Sequence, residues 1–291
     1  MSLRDERARS PAPTVADMSP QLNGKVAAIT GAGSGIGRET ALECAREGAA
    51  LALCDVNEPG LAQTADDARK LGADVLTARV DVSDPDAMDA FAAQVRERFD
   101  GVDLLINNAG IGVLATFEQT ELADWRTLID VNVMGVVHGC RSFLPQMKHR
   151  GRGGHVVNVS SLAGVQANPA LCAYSATKFA VFGLSEALRT ELAPFGIGVT
   201  AVCPGVVNTP IIEQGVFRGG QQQERRDKLV KLYARRNYGP EKVAPRILRA
   251  VRRNRAVAPI TPEAHLGYLL SRHLPPVSRW VAAKTAAAAG E

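Results

Sequence analysis

Tyr174 and Lys178 stand four positions apart at the start of Tyr174–Ala193, a segment with helical spacing. This spacing places both side chains on one face of a helix, one turn apart. A phenol has a pKa of about 10 in water, too high for a base near neutrality. A nearby ammonium favours the phenolate, and lowering the phenol pKa by about 3 units takes about 4 kcal/mol. The pair predicts a phenol that exchanges a proton with a substrate oxygen.

Two other polar positions could belong to the same site. Ser160 and Ser161 end the apolar run His155–Val159, and Ser161 precedes Tyr174 by a loop, so its hydroxyl could hold a substrate oxygen beside the phenol. Asn132 could kink a helix and hold a water. Each feature also has a purely structural interpretation: an exposed helix pair for the tyrosine and lysine, a helix cap for the serines, and a satisfied buried amide for the asparagine.

A glycine-rich turn follows the first predicted strand, Val26–Thr30, and precedes the helical segment Ile36–Glu47. Its spacing is G-x-x-x-G-x-G, at Gly31, Gly35 and Gly37. Glycines permit a tight turn and let a pyrophosphate approach the backbone, where a helix N-terminus supplies N–H groups and the positive end of its dipole. A strand before the turn and a helix after it favour a dinucleotide site over a glycine-rich turn without a ligand.

Asp55 follows the second predicted strand, Ala50–Cys54. A carboxylate there accepts hydrogen bonds from an adenosine ribose and repels a 2′-phosphate. Neither Ser34 nor Val56 supplies a positive charge to neutralise that phosphate, and Arg38 is expected on the helix. The sequence predicts NAD, with NADP disfavoured; the alternative is a solvated aspartate at a strand end.

Strand-length apolar runs alternate with helical segments along the chain, which predicts crossover units and a parallel sheet. Because the runs are apolar on both faces, helices should cover both sides. The expected fold is therefore a single-domain α/β, Rossmann-like, doubly wound parallel sheet. The remaining predicted strands are Val75–Val80, Leu104–Ile106, His155–Val159 and Val199–Val202, and the remaining helices are Leu61–Leu71, Ala87–Phe99 and two within Leu122–Lys148.

Composition changes divide the chain. Residues 1–22 are polar and proline-containing, which predicts a disordered or loosely docked tail. Residues 23–261 form the expected catalytic domain. Within it, residues 208–239 are polar and glycine-containing, which is typical of a mobile lid. Residues 262–291 form the expected C-terminal helical extension.

Overall composition excludes several protein classes. The 291 residues are 46% hydrophobic and 22% charged, which excludes disorder of the whole chain. The five cysteines are scattered, which argues against a disulfide framework and favours a reducing, cytoplasmic setting. The five histidines lack metal-ligand spacing, so no metal site is expected.

The C-terminal part is basic. From Arg218 onward there are 16 Lys/Arg and 5 Asp/Glu, a balance of +11. Few aromatics accompany these charges, so nucleic acid is not an expected partner. Tyr268 and Trp280 lie near Arg272 and Arg279, which suits weak contact with an anionic membrane or an acidic carrier. A solvated helix face or an oligomer contact is the favoured alternative.

Taken together, these residues resemble the short-chain dehydrogenase/reductase family, densely over residues 25–210. The ordered motifs are Thr30–Gly37, Asp81-Val82, Asn107-Asn108-Ala109-Gly110, Asn132, Ser161, Tyr174 with Lys178, and Pro204-Gly205.

The resemblance implies a role for each matching residue. Tyr174 would be the acid/base, and Lys178 would lower its pKa and bind the nicotinamide ribose. Ser161 would orient the substrate, and Asn132 would hold a water of a proton relay. The cofactor would be bound by Gly31, Ser34, Gly35, Ile36, Gly37, Asp55, Asp81, Val82, Asn108, Ala109, Gly110, Pro204, Gly205, Val207 and Thr209 together with the Tyr174/Lys178 pair.

The implied reaction is hydride transfer between a secondary alcohol and NAD, giving a ketone. The substrate is expected to be hydrophobic, because the pocket loop Asn168–Cys172 is mostly apolar. An NADPH-dependent ketoreductase of acyl metabolism and a non-catalytic dinucleotide-binding regulator are the alternatives. The resemblance also implies a homodimer or homotetramer.

Overall fold

The computed structural model of the protein describes residues 22–220 and 222–288. The strands are β1 (Val26–Thr30), β2 (Ala50–Asp55), β3 (Val75–Arg79), β4 (Leu104–Asn107), β5 (Val113–Leu114), β6 (Gly154–Val159), β7 (Ile197–Cys203), β8 (Val216–Phe217) and β9 (Val257–Pro259). The helices are α1 (Gly35–Arg46), α2 (Glu58–Lys70), α3 (Pro85–Phe99), α4 (Leu122–Ile129), α5 (Gly135–Arg150), α6 (Cys172–Leu192), α7 (Gln222–Arg236), α8 (Ala244–Arg252), α9 (Pro262–His273) and α10 (Pro275–Ala288).

The central sheet is parallel, with the strand order β3-β2-β1-β4-β6-β7-β9. The order reverses between β1 and β4, which are adjacent in the sheet although β2 and β3 lie between them in the chain. In open α/β sheets such a reversal opens a crevice outside the carboxyl ends of the two strands. The glycine-rich turn and the loop after β4 both begin at this crevice.

Helices cover both faces of the sheet, as the sequence predicts. Along β1, Ala27 and Ile29 belong to one apolar core with residues of α1, α2 and α8. Val26 and Ala28 belong to the opposite core with residues of α3, α5 and α6. This division follows from the alternation of side chains along a strand. The predicted single-domain, doubly wound Rossmann-like fold is confirmed.

The predicted elements exist, with boundaries shifted by a few residues. Three features lie outside the sequence prediction: the seventh strand of the central sheet, β9; the small second sheet of β5 and β8; and the helix α7 within the predicted lid. One boundary is wrong, because Leu22 was assigned to the N-terminal tail and is instead buried in the core beside α1. The rest of that tail, residues 1–21, lies outside the described residues.

The predicted pair of helices within Leu122–Lys148 is present without a loop between its members. A π-helical turn, Asp130–Met134, joins α4 directly to α5. Such turns insert one extra residue per turn and often occur at functional sites. Asn132 lies in this turn and is fully buried.

Two short strands connect the predicted lid to the body. β8 pairs in parallel with β5, matching Val113 with Val216 and Leu114 with Phe217. Arg218, directly after β8, donates two hydrogen bonds to Asp124 of α4, at 2.8 and 3.0 Å. The start of the lid segment is therefore attached to the wall of the crevice. Within residues 22–220 and 222–288, no helix is long and apolar enough to cross a bilayer.

His155 in β6 makes stability sensitive to acid. Burial, with a smaller effect of Arg189, lowers its pKa from 6.5 to about 3. Because the unfolded chain then binds the additional proton, the free energy of unfolding decreases as pH falls from 6.5 towards 3. Between about pH 7 and pH 5.5 this site contributes a loss of about 1 kcal/mol.

Urea unfolding of wild type and His155→Gln at these two pH values measures the contribution. The variant should lose about 1 kcal/mol less than wild type on acidification. His273→Gln is the matched control, since that histidine is exposed at the end of α9. Equal pH dependence in wild type and His155→Gln would contradict the assignment.

Candidate active site

A cavity of about 410 Å³ occupies the crevice at the carboxyl ends of the central strands. Most of the residues singled out from the sequence line it. They are Gly31, Ser34, Gly35, Ile36, Asp55, Asp81, Val82, Asn108, Ala109, Gly110, Ser161, Tyr174, Lys178, Pro204, Gly205, Val207 and Thr209. Gly37 and Asn132 do not line the cavity, so a direct cofactor contact for Gly37 is not what the structure shows.

The glycine-rich turn is fixed by hydrogen bonds from the loop that follows β4. The Thr30 hydroxyl accepts from the backbone N–H groups of Asn108 and Ala109, at 3.0 and 3.1 Å. The Asn108 amide donates to the carbonyls of Thr30 and Gly31, both at 3.0 Å. These four bonds join the ends of the two strands that border the crevice.

The close packing of this turn explains two of its glycines. Gly31 has φ +65°, a conformation that favours glycine. A Cβ on Gly37 would lie 2.1 Å from the Gly31 carbonyl oxygen, so any side chain there would displace the turn. Gly37 therefore acts behind the cavity by letting α1 start close to β1. The free N–H groups of the first turn of α1 then adjoin the cavity, where Gly35 and Ile36 form part of the wall.

Asp55 is held in one orientation at the opposite side of the glycine turn. One carboxylate oxygen accepts from the Gly33 N–H at 2.7 Å, and the other accepts from the Asn57 N–H at 2.8 Å. Each oxygen retains a lone pair for a further donor. Arg38 pairs with Glu39 and, at 2.9 Å, with Asp67 of α2. Its guanidinium is therefore occupied on the helix, as expected, beside two carboxylates.

Tyr174 lies in the first turn of α6, with its side chain in the cavity. Burial raises the pKa of its phenol to about 12, while a hydrogen bond with Ser161 acts in the opposite direction. The Lys178 nitrogen lies 5.7 Å from the centre of the phenol ring. In the protein alone desolvation dominates, so the phenol pKa is raised rather than lowered.

Ser161 combines two roles that the sequence left as alternatives. Its hydroxyl accepts from the Ala163 N–H at 3.1 Å, which caps the short 3₁₀ turn Leu162–Gly164. The same hydroxyl interacts with the Tyr174 phenol. Ser160 points elsewhere and donates to the Lys178 carbonyl at 2.8 Å, so it supports α6.

Lys178 is almost completely buried, and its ammonium donates to the Val159 carbonyl at 3.0 Å. Burial lowers its pKa to about 8, and the neighbouring Cys203 has a smaller opposing effect. A Cβ added to Gly110 would lie 3.3 Å from this nitrogen and 3.0 Å from the Asn132 amide oxygen. Gly110 thus leaves the ammonium and the amide oxygen on either side of an open space.

The Asn132 amide is satisfied by its own neighbours. Its oxygen accepts from the Ile111 N–H at 2.8 Å, and its nitrogen donates to the Ile111 carbonyl at 3.0 Å and to the Thr177 hydroxyl at 3.2 Å. The residue therefore fixes the loop after Gly110 against α6. This matches the satisfied buried amide considered from the sequence, and it places the amide behind the cavity wall.

The chain matches the model of one protein family. A family model described as short chain dehydrogenase matches residues 25–216. The chain belongs to the short-chain dehydrogenase/reductase family. The match runs from β1 to the first residue of β8 and includes the glycine turn, Asp55, Ser161, Tyr174 and Lys178.

Two curated relatives carry the names of oxidoreductases. "Probable oxidoreductase EphD" of Mycobacterium tuberculosis is 42% identical over 256 residues, which are 86% of this chain and 43% of that protein. The chain thus spans less than half the length of this relative. A 3β-hydroxysteroid dehydrogenase of Mediterraneibacter gnavus is 38% identical over 191 residues, which are 65% of this chain and 68% of that protein.

The crystal structure of a short-chain dehydrogenase/reductase from Burkholderia phymatum in complex with NAD superposes with a TM-score of 0.81. The two proteins are 34% identical, and the match covers 89% of this chain and 96% of the other. The chain therefore resembles, in sequence and in fold, a family member whose crystal structure contains NAD.

Tyr233 of α7 was missed by the sequence analysis, although it lines the same cavity. Burial raises the pKa of its phenol, with a further increase from Glu263 and a decrease from Arg236. Its phenol is also close enough to raise the pKa of Tyr174. No signal in the sequence marks this tyrosine, because its helix comes after the recognisable motifs and is separated from Tyr174 by 59 positions.

Glu263 was also missed and lies at the start of α9. It accepts from the Val206 N–H at 2.8 Å, and its other oxygen pairs with Arg236 at the end of α7. Burial acts to raise the pKa of this carboxyl, but hydrogen bonds from Thr261 and Val206 outweigh it, and the pKa is lowered. Glu263 therefore joins the loop Pro204–Val207 to α7 and α9 as a carboxylate.

Thr30→Val should destabilise the protein and weaken the binding of a dinucleotide such as NAD⁺. The isosteric change removes the acceptor for two N–H groups at the crevice where the strand order reverses. The expected cost is about 2 kcal/mol in the free energy of unfolding. Thr30→Ser keeps the hydroxyl and is the matched control. Urea unfolding and calorimetric titration with NAD⁺ measure the two effects, and equal behaviour of the valine and serine variants would contradict this role.

Proposed function

We propose that this short-chain dehydrogenase is an NAD-dependent enzyme that interconverts a secondary alcohol and a ketone. The observation that carries the proposal is the joint placement of Ser161, Tyr174 and Lys178 in one cavity with the glycine turn and Asp55. A non-catalytic dinucleotide-binding protein would need the turn and the aspartate, and it would have no use for the three polar side chains at the other end.

The residues of the cavity fit a nicotinamide dinucleotide. The first turn of α1 would hold the pyrophosphate, and the two fixed oxygens of Asp55 would accept from the adenosine ribose. Asp81 and Val82 would contact the adenine, and Lys178 would donate to the other ribose. Pro204, Gly205, Val207 and Thr209 would hold the nicotinamide end. The bound cofactor supplies hydride transfer, chemistry that protein side chains lack.

NAD is favoured over NADP because of the charges around the adenosine end. Asp55 is anionic and would repel a 2′-phosphate. Arg38, the nearby cation considered from the sequence, is already paired with Glu39 and Asp67. An NADPH-dependent ketoreductase would require a free cation where this site has a carboxylate.

Tyr174 would accept the proton from the alcohol hydroxyl and donate it in the reverse direction. In the protein alone its pKa is about 12, so the phenolate needs additional stabilisation. The Lys178 ammonium would contribute to that stabilisation through its positive charge. Ser161 would donate to the substrate oxygen and fix it next to the phenol.

Lys178 would act through its charge and its proton. Its lowered pKa, about 8, lets it exchange a proton near neutral pH. Only one of its three N–H donors is used by the Val159 carbonyl, so the others are available to a ribose hydroxyl. This arrangement gives the phenol a neighbouring group that can restore its protonation state.

The substrate that fits is a hydrophobic alcohol or ketone. Apart from Tyr233, the part of the cavity wall beyond the catalytic residues is built largely from aliphatic side chains. These include Ile111, Leu114, Leu171, Ile211 and Ile212. The relative named as a 3β-hydroxysteroid dehydrogenase is consistent with a substrate of this kind.

Oxidation of an alcohol panel with NAD⁺ tests the proposed reaction. Sterol and cyclic aliphatic secondary alcohols should be turned over in preference to sugar alcohols. Tyr174→Phe should lower turnover by at least about 100-fold, because general acid–base catalysis is lost, while NAD⁺ binding is retained. Absorbance of the reduced cofactor gives the rates.

Tyr238→Phe is the matched control for that experiment. It removes a phenol hydroxyl that contacts the Ile260 carbonyl at 3.5 Å rather than the cavity, so turnover should be unchanged. Undiminished turnover in Tyr174→Phe would refute the mechanism, and turnover of sugar alcohols alone would refute the substrate class.

Calorimetric titration with NAD⁺ and NADP⁺ tests the cofactor. Wild type should bind NAD⁺ at least about tenfold more tightly, and Asp55→Asn should bring the two affinities within about threefold, since it removes the repulsion and keeps the side-chain size. Asp81→Asn alters a carboxylate at the adenine end and should leave the ratio unchanged. Preference of wild type for NADP⁺ would overturn the proposal.

A further inference from the structure

The C-terminal helices expose an unusual amount of apolar surface. Five large apolar side chains on α9, α10 and the residue between them are 43–63% exposed, and we call this set the outer apolar face. Its members are Leu266, Leu269, Leu274, Val277 and Trp280. Scattered exposed hydrophobic residues are ordinary, but five within fifteen positions form a patch of the kind that marks an interaction surface.

Helical geometry places this face on the side away from the body of the protein. Gly267 packs against Leu162, and Ser278 is buried with its hydroxyl and carbonyl accepting from Gln166, each at 3.0 Å. Leu269 and Trp280 each lie two residues beyond one of these anchors. Two residues correspond to about 200° of rotation, so both side chains point outward.

Positive charge surrounds the outer apolar face. Between Glu263 and Glu291 the sequence has no acidic residue, whereas it has Arg272, Arg279 and Lys284. All three are exposed. Within the described part of the chain, no carboxylate forms an ion pair with Arg272 or Arg279. The side chains are thus available to an anionic partner.

Two kinds of protein partner fit this surface less well than a membrane does. A second copy related by two-fold symmetry would bring two such basic surfaces into one interface, and like charges across an interface oppose association. An acidic protein would satisfy the arginines, but it would gain little from five aliphatic and aromatic side chains. A bilayer surface with anionic headgroups accepts both components at once.

We propose that the outer apolar face docks the protein on an anionic lipid surface. α9 and α10 would lie in the plane of the membrane, with Leu269 and Trp280 among the acyl chains and Arg272 and Arg279 at the headgroup phosphates. This arrangement is interfacial, in agreement with the absence of a membrane-crossing helix from the described residues. The proposal is independent of the proposed reaction, because no residue of the face lines the cavity.

Flotation with lipid vesicles tests the docking directly. The 291-residue chain should float with vesicles of phosphatidylcholine containing about 30% phosphatidylglycerol at about 0.15 M salt, and should remain unbound with phosphatidylcholine alone. Because the chain has two tryptophans, Trp125→Phe leaves Trp280 as the single reporter. Its emission should shift to shorter wavelength with the anionic vesicles only.

Paired variants separate charge from apolar contact. Arg272→Gln with Arg279→Gln should weaken binding about 25-fold, or about fivefold for each arginine. Arg249→Gln with Arg253→Gln removes the same charge from exposed positions on α8 and directly after it, and should have an effect below about threefold. Leu269→Gln with Trp280→Gln should abolish flotation, whereas Leu71→Gln, at an exposed leucine after α2, should not.

Three results would overturn the proposal. The first is no flotation with anionic vesicles. The second is equal binding to both vesicle types, which would remove the contribution of charge. The third is a concentration-dependent dimer that Leu269→Gln with Trp280→Gln dissociates while vesicle binding is absent, which would assign the face to a second copy of the chain.

Discussion

A lysine ammonium is buried beside the crevice with no carboxylate among its described partners, and the chemistry of the site depends on this constraint. Removing a charge from water is costly unless polar groups replace the water. The Val159 carbonyl provides one such group, and the small residue Gly110 leaves room for others between Lys178 and Asn132. A site built in this way gains stability when an anion forms nearby, and the Tyr174 phenolate is such an anion.

The buried charge of Lys178 also explains the π-helical turn that carries Asn132, on the other side of the lysine. The π-helical turn between α4 and α5 brings the Asn132 amide towards Gly110, where it fixes the backbone of Ile111 at both its N–H and its carbonyl. Ser160 holds the backbone carbonyl of Lys178 itself. Hydrogen bonds therefore hold both the main chain and the ammonium of Lys178. These bonds keep its charge near the Tyr174 phenol.

The sequence predicts those parts of the site that depend on local spacing. The glycine turn, Asp55 and the Tyr174/Lys178 pair lie where strand ends and one helical turn must place them, and the sheet follows from the alternation of apolar runs. Tyr233 could not be predicted, because it lies on α7, in a segment without apolar periodicity. Glu263 could not be predicted, because its contacts are with residues far from it in the chain. The phenol pKa was also beyond the sequence, since it depends on burial. The cytoplasmic location and the homo-oligomer stay predictions.

Glu263 has a consequence for exchanging parts between relatives. One carboxylate holds the loop Pro204–Val207, the last turn of the helix that carries Tyr233, and the first turn of α9. A chimera in which α9 and α10 come from a relative with another residue at position 263 would lose both contacts. The loop Pro204–Val207 and α7 would then be released together. Val206, Arg236 and Glu263 must therefore be exchanged together, although they are far apart in the chain.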